Sequence, residues 1–570
     1  MQLYLRCMRN SEIALLLEEA AELMDLHDEN PFKTKSLLRA AQRIERLSEP
    51  LEQMTVEELE GTEGVGKSIA QKIAEMNSIG TFSELEDLRR KTPPGVARIL
   101  NIKGLGPKKV KTLWRELGIE SPGELLYACE ENRLIELKGF GSKSQETIRQ
   151  SVAYNLMHEG HFHYAKAERI LNSFLSALAS SHPHVEVHLA GEMRRKCETV
   201  QEAKLLVARD LFPALTENLN LNKIEFATVE DGWINAHIDG LPLIFIPIPQ
   251  DELAYHLWLY TGNEGHVMNI QTRMQGTDQA TLKLVKTEEA LYERAKLPFM
   301  EPEWREDVFE FDFFEKQALP ERLIRIEDLR GTLHNHTTYS DGKNALEEMA
   351  QACIELGLEY FGVCDHSRTA VYAGGLSIES VKRQQEEIAR LNQKLAPFHI
   401  FSGIESDILA DGSLDYPDEI LATFDFVVAS VHSGLRMDKE RATERLIKAI
   451  SNPYTSILGH PTGRLLLSRE GYPIDVDRIL DACQTHGVAI ELNANPYRLD
   501  LDWRHLPKAI ERCIPISINP DAHHTGGLLD MRFGVYAARK GFAGPGHVLN
   551  TLNLEHIRTW FSNRRNPVVG

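Results

Sequence analysis

Leu333-His334-Asn335-His336-Thr337-Thr338-Tyr339-Ser340-Asp341-Gly342 decides how this 570-residue chain is read. A short apolar run leads into two histidines separated by one residue, and an aspartate follows shortly after. The same design recurs downstream. Besides 333–337, short apolar or β-branched runs at 360–365, 399–405, 424–431, 456–459, 488–492 and 516–519 read as strands. Helical patterns at 345–356, 380–395, 441–450, 476–485 and 506–512 lie between most of them. Strand and helix in alternation predict a parallel α/β barrel rather than a sandwich. In such a barrel the loops that follow the strands converge on one face and build the active site. His334, His336, Asp341, His366, Glu405, His432, His460, Asp521 and His523 fall nearly all at predicted strand ends. They are therefore expected to meet at one mouth.

The residue types point to metal chemistry. Neutral imidazole together with carboxylate suits zinc, manganese or iron, whereas all-oxygen shells favour magnesium or calcium. Two ions about 3.5–4 Å apart can hold a phosphate between them, activate water and stabilise the leaving oxygen. Glu405 is placed to bridge such ions. A single histidine such as His399 or His505 reads as an ordinary core or surface residue; the set at successive strand ends reads as a multinuclear hydrolytic centre.

The segments 333–342, Cys364-Asp365-His366-Ser367, Gly403-Ile404-Glu405, Ser430-Val431-His432-Ser433, Gly459-His460-Pro461-Thr462-Gly463-Arg464 and Asn519-Pro520-Asp521-Ala522-His523 resemble the polymerase and histidinol phosphatase (PHP) domain. Residues 491–500 and Ala373-Gly374-Gly375-Leu376-Ser377 resemble, more narrowly, the PHP domain fused to bacterial family X DNA polymerases. The resemblance spans roughly the whole chain. It implies three divalent ions, with manganese favoured over zinc or iron. His334, His336, Glu405 and Asp521 would hold the first, Glu405, His432 and His460 the second, and Asp341, His366 and His523 the third. Glu405, His432 and Asp521 are the expected catalytic core. Arg464 and Arg498 are candidate phosphate clamps, because guanidinium pairs bidentately with phosphate oxygens; a structural salt bridge is the equal alternative.

Upstream, three segments share one plan: Gly64-Val65-Gly66-Lys67, Gly104-Leu105-Gly106-Pro107-Lys108-Lys109 and Gly139-Phe140-Gly141-Ser142-Lys143. Each follows an apolar or helical stretch and opens a new helix. Glycine permits positive φ in the turn, and the amides of the following helix form an anion site. These segments resemble the helix-hairpin-helix element, which grips the DNA backbone without reading bases. Lys67, Lys103, Lys108, Lys109, Lys111 and Lys143 favour phosphate contact. An all-helical scaffold with glycine turns is the competing reading. Residues 10–46 read as amphipathic helix. The resemblance makes this region a DNA-end-binding domain and aligns Lys72 with a Schiff-base nucleophile of some relatives; a solvated helix lysine is the simpler expectation.

In the middle third the pattern breaks. Residues 191–200 resemble the nucleotidyltransferase motif of family X palms, which continues with Asp-x-Asp and a third Asp on a later strand. Here the positions read Glu202, Lys204 and Ile244, and the motif serine is Glu192. Polymerisation needs two magnesium ions bridged by carboxylates. An ammonium in that cluster repels both ions and an isoleucine offers no ligand, so a retained fold with lost chemistry is expected.

The expected architecture is therefore multidomain. An all-α helix-hairpin-helix region occupies 1–90 and 91–155, an α+β nucleotidyltransferase-like palm and thumb 156–315, and a distorted (βα)7 PHP barrel 329–570. Residues 316–328 read as a linker. The stretch 301–328 carries ten acidic and four basic residues and reads as a solvated connector, although Phe309, Phe311, Phe313 and Phe314 suggest partial docking. The formal charge of −20 argues against a general nucleic-acid coat and leaves DNA contact local. Seven cysteines without a C-x-x-C pair fit a reducing cytoplasm, and neither a signal-peptide pattern nor a membrane-spanning run is expected. The leading functional expectation is a DNA-end-processing 3′-5′ exonuclease or phosphodiesterase acting on gapped, single-stranded or 3′-ended DNA. A small-molecule phosphoesterase of histidinol-phosphatase type and a non-catalytic DNA-binding scaffold stay open.

Overall fold

A computed structural model of the chain describes residues 8–565 except 46, 48, 63, 103 and 317–319. Cys7, Lys103, the centre of the expected linker and the side chain of Phe314 lie outside the described residues. The chain forms two compact units, Met1–Glu159 and Gly160–Gly570. Among the described residues no helix is long and apolar enough to cross a membrane.

The first unit is helical. In the helix Asn10–Leu26 the residues Ile13, Leu17, Ala20 and Met24 recur at helical spacing and are buried. They share one core with Leu37, Ala41 and Ile44 of the helix Pro31–Glu45. The same core reaches the helices Lys67–Ile79, Pro107–Leu117 and Ser142–Met157 through Ile73, Leu113 and Val152.

The second unit begins with a five-stranded sheet made of β1 (Val187–Ala190), β2 (Ala203–Ala208), β3 (Phe226–Thr228), β4 (Ile234–Ile238) and β5 (Leu241–Ile248). Its order is β1-β2-β5-β4-β3, and only the central β2–β5 pair is parallel. Alternation sends Leu205, Val207, Leu243 and Phe245 to the face covered by the helices Tyr164–Ser181 and Phe212–Leu221.

Seven further strands follow: β6 (Gly331–Thr332), β7 (Tyr360–Val363), β8 (His399–Asp407), β9 (Phe426–Ser430), β10 (Ile457–Leu458), β11 (Ala489–Asn493) and β12 (Ile516–Asn519). They lie side by side in chain order, all parallel. The ends of this sheet nearly close: Asn335 forms a parallel bridge with Ala522, and the Leu333 amide donates to Asn519 Oδ1 at 3.1 Å. The strand expected at 333–337 is two residues long and lies earlier, at 331–332. Beyond it the ladder breaks into isolated bonds: His336 N donates to the Ala522 carbonyl at 2.8 Å and Asn335 O accepts from Cys364 N at 2.7 Å, whereas Leu333 N and Thr337 N bond to the side chains of Asn519 and Asp365.

The expected solvated connector is docked over its first half. Glu303, Trp304, Arg305, Glu310 and Phe313 are buried. Phe313 stacks on Phe542 with centroids 4.1 Å apart, and Trp304 does so at 4.7 Å. The acidic residues find partners: Glu310 meets His266 Nδ1 at 2.9 Å and Glu303 meets Arg539 at 2.7 Å. Pairing allows these charges to be buried where an unpaired carboxylate would stay in water.

Candidate metal centre and nucleic-acid interface

The barrel brings all nine expected ligands to one mouth. Glu405, at the C-terminal end of β8, is the hub. Its Oε1 lies 3.0 Å from His460 Nε2, 3.1 Å from His432 Nε2 and 3.4 Å from His334 Nε2. Its Oε2 lies 2.9 Å from His366 Nδ1 and 3.7 Å from His336 Nε2. Asp521 Oδ1 stands 3.0 Å from His336 Nε2 and 3.7 Å from His334 Nε2. Asp341 lies between His366 at 3.6 Å, His523 at 3.4 Å and His336 at 3.8 Å.

Three groups of donors result, each compact enough to hold a metal ion: His334, His336 and Asp521; His366, Glu405 and His432; and His336, Asp341, His366 and His523. The sharing differs in detail from the expected assignment. His336 and His366 each stand in two groups, and His460 reaches the cluster through Glu405. The floor, with His334, His336, Glu405 and His460, is buried, whereas Asp341 and His523 open the mouth to solvent. Asp521 (φ 53°) and His460 (φ 20°) hold left-handed backbone that only glycine adopts freely, a strain typical of residues fixed for function.

Several imidazoles are oriented from behind. His334 Nδ1 is 2.8 Å from Glu491, His432 Nδ1 is 2.5 Å from Asp407, and His523 Nδ1 is 2.9 Å from the Asp521 carbonyl. Such contacts fix the ring and direct Nε2 to a metal. His334 Nε2 has no hydrogen-bond partner although it is buried.

The electrostatics demand positive charge. Burial alone would lower the His334 pKa, but Glu491, Glu405 and Asp521 raise it well above the usual imidazole range. The same contest between burial and carboxylates pushes His366 up to about 10 and His432 up to about 9. Burial, then His523 and His366, push His336 down to about 3. Divalent cations satisfy such carboxylates and displace the imidazole protons. The orphaned His334 nitrogen, the braced rings and the mixed N/O donors fit borderline divalent metals.

The two arginines part company. Arg464 donates to the Arg498 carbonyl at 2.8 Å, to Glu198 at 3.1 Å and to Asp502 at 2.5 Å, and it also binds the Leu499 carbonyl. Its guanidinium is occupied in a buried network, so the expected phosphate clamp is corrected to a structural tie between barrel loop and palm. Arg498 stays at the rim, with Nε 3.6 Å from Asp521.

In the five-stranded sheet, Lys204 lies beside Ile244 in register, and its ammonium is 3.2 Å from Glu202. Ile244 joins the apolar cluster of Leu206, Ile246 and Ile248. The three positions therefore come together, carrying an ion pair and a hydrocarbon.

In the helical unit, Gly64, Gly104 and Gly139 have φ of 88°, 91° and 92°, as the hairpin turn requires. Gly66, Gly106 and Gly141 are the N-caps of the helices that follow. A Cβ on any of these caps would meet nothing within 4 Å. Neither φ nor internal packing calls for glycine there, which leaves room for close approach from outside. Lys67, Lys108 and Lys143 are exposed in the first turns, where no acidic residue stands. Cations at that end oppose the helix dipole and suit an anionic ligand. Lys72 is not the expected solvated lysine: its side chain is 13% exposed, and its ammonium lies 2.9 Å from Glu84.

Residues 332–495 match the PHP domain family, 8–82 the helix-hairpin-helix domain and 96–152 the SAM-like helix-hairpin-helix tandem. The chain is 34% identical over 572 residues to the DNA polymerase/3′-5′ exonuclease PolX of Bacillus subtilis (strain 168), covering 97% of this chain and 99% of the relative. The chain belongs to the PolX family. The barrel alone also resembles proteins named probable phosphatases. One, from Caldicellulosiruptor bescii, is 31% identical over 36% of this chain and 75% of its own length. Another, from Thermoanaerobacter sp. (strain X514), is 30% identical over 42% and 96%. Membership of PolX gives the chain its helix-hairpin-helix and PHP domains, and the latter makes it a metal-dependent hydrolase.

Sequence reasoning missed the supporting carboxylates. Glu491 accepts from His334, from the His460 amide at 2.7 Å and from Asn519 at 2.9 Å. Asp365 receives Thr337 N and Gln384 and holds the loop that carries Asp341. The signal was present as a carboxylate in the middle of the buried strand β11, where an acid must have partners.

Proposed function

We propose that this protein is a metal-dependent DNA-end-processing hydrolase, a 3′-5′ exonuclease or 3′-phosphodiesterase of DNA repair, whose polymerase activity is lost. The observation that carries this reading is the contrast between its two centres. The barrel assembles nine donors with braced imidazoles, whereas the palm positions hold Glu202, Lys204 and Ile244.

His334, His336, Glu405 and Asp521 would hold one ion, Glu405, His432 and His460 a second, and Asp341, His366 and His523 a third. Manganese is the first candidate and zinc or iron the next. Bound metal would supply Lewis acidity toward a phosphodiester and a water nucleophile at neutral pH. Glu491 and Asp407 keep the rings of His334 and His432 in place, the buried floor excludes bulk water, and Arg498 at the rim is available to a phosphate oxygen. The exposed lysines and open glycine turns of Gly64, Gly66, Lys67, Gly104, Gly106, Lys108, Gly139, Gly141 and Lys143 would hold the DNA backbone. A reducing cytoplasm is the compartment that suits such an enzyme.

Labelled single-stranded, gapped and 3′-phosphorylated DNA incubated with manganese tests the proposal. Stepwise shortening supports it, and Glu405→Ala or His432→Ala should abolish hydrolysis with DNA binding retained. Near-normal turnover in either variant would overturn the assigned centre. The likeness of the barrel to probable phosphatases favours a second reading, a phosphomonoesterase, for which release of phosphate alone is the expected result.

A further inference from the structure

Beside the metal-ligand cluster stands a feature that the hydrolytic reading leaves unexplained. Tyr372 is 72% exposed and its neighbour Val371 is 80% exposed, on a single turn of helix, Val371–Ala373. The Tyr372 ring lies 6.1 Å from the His366 ring and 6.5 Å from that of His432. An exposed aromatic and an exposed valine thus project directly beside the open mouth.

The turn is built to hold them there. Leu376 N donates to the His366 carbonyl at 2.9 Å, and Ser367 forms a parallel bridge with Leu376. Gly375 is pressed so closely on Ser367 that a Cβ would meet its carbonyl at 1.9 Å. Thr369 donates from its amide to Asp415 at 2.7 Å and from its hydroxyl to Asp407 at 2.8 Å. Asp407 is also the residue that orients His432. The lip is therefore tied to the same carboxylate as a candidate ligand, and the backbone that carries Tyr372 has little freedom left to lose on binding.

We propose that Tyr372 is a stacking platform for the unpaired base of the strand-terminal nucleotide, with Val371 extending its apolar surface. This rests on the hydrolase reading, since it assigns the substrate class of that same mouth. A phosphodiester in the cluster places the adjoining nucleoside within reach of a ring about one residue's width away. Every base has a π-face, so stacking is sequence-tolerant, and a terminal base freed from its partner reaches the ring without carrying the second strand into the mouth, as a paired one must. The site then selects frayed, mismatched or single-stranded 3′ ends over fully paired ones.

The experiment uses the full chain in manganese and oligonucleotides whose 3′-terminal residue is 2-aminopurine, joined by a phosphorothioate that resists cleavage. Stacking on Tyr372 should quench 2-aminopurine emission in the wild type and in Tyr372→Phe, and the quench should vanish in Tyr372→Ala. In parallel, Tyr372→Ala should raise KM for a cleavable single-stranded oligonucleotide roughly five- to tenfold, with an abasic 3′ residue unaffected. Equal emission in wild type and Tyr372→Ala, or equal KM changes with and without the terminal base, would overturn the proposal. Absence of turnover in the wild type would defeat the hydrolase reading instead, while the fluorescence result would still decide whether Tyr372 stacks a base.

Discussion

Lys204 stands directly opposite Ile244 in the parallel ladder between β2 and β5, with its ammonium 3.2 Å from Glu202. A pair of magnesium ions has no carboxylate cage at such a place and meets a positive charge already there. Primer extension with manganese and all four nucleotides is therefore expected to give no template-dependent addition. Robust addition that survives Glu405→Ala would overturn this.

Glu491 is expected to act through His334 and His460 rather than on substrate. Glu491→Gln should weaken metal retention by about 10–100-fold, measured as metal content after dialysis against graded chelator. Unchanged retention would mean that the ring of His334 needs no bracing.

Arg464 distinguishes a clamp from a tie. Replacing it with Met leaves Arg504 as the remaining partner of Glu198 and Asp502, and stability to denaturant should fall by about 1.5–3 kcal/mol, the scale of a hydrogen bond to a charged group. A clamp would instead raise KM with the unfolding curve unchanged.

Glu306 gives a pH signature. Burial alone would raise its carboxyl, but Lys540 and Arg195 bring it down to about 2. That lies below the ~4.3 of an unfolded chain, so the unfolded state takes up its proton first. The stability from this carboxylate is fully present above about pH 4.3 and is lost as pH falls toward 2. Thermal unfolding of Lys540→Met from pH 7 to pH 3 should show a lower Tm at pH 7 and a shallower acid slope than the parent.

Lys67, Lys108 and Lys143 should contribute to DNA affinity without base preference. Each change to alanine is expected to reduce the slope of log K against log salt by about one. An unchanged slope in the triple variant would place the backbone contacts elsewhere.

The barrel was legible because its strands are short apolar runs and its ligands sit at their ends; β12 was read at its true limits, 516–519, and eight of the nine donors gather in groups compact enough for an ion, with His460 joined through Glu405. The first strand was misplaced because residues 333–337 look β-like, yet two of their amides, Leu333 N and Thr337 N, bond to the side chains of Asn519 and Asp365 and leave only isolated backbone bonds between them. Arg464 stayed undecided between clamp and salt bridge because a guanidinium beside a ligand suits phosphate and carboxylate equally, and its partner Glu198 is remote in sequence. The docking of 301–313 was only half visible: charge content says solvent, and only the fold shows that Arg539, His266 and Lys540 wait for those acids.

The stack of Phe313 and Trp304 on Phe542 makes the segment before the barrel an organ of the barrel. A fragment cut at residue 329 would present Phe542 and Trp503 to water and leave the Lys540 ammonium buried without Glu306. Such a fragment would be adhesive and unstable however complete its ligand set. Residues 301–313 therefore stay bound to the barrel whatever chemistry the segment before them retains, because the barrel uses them as its wall.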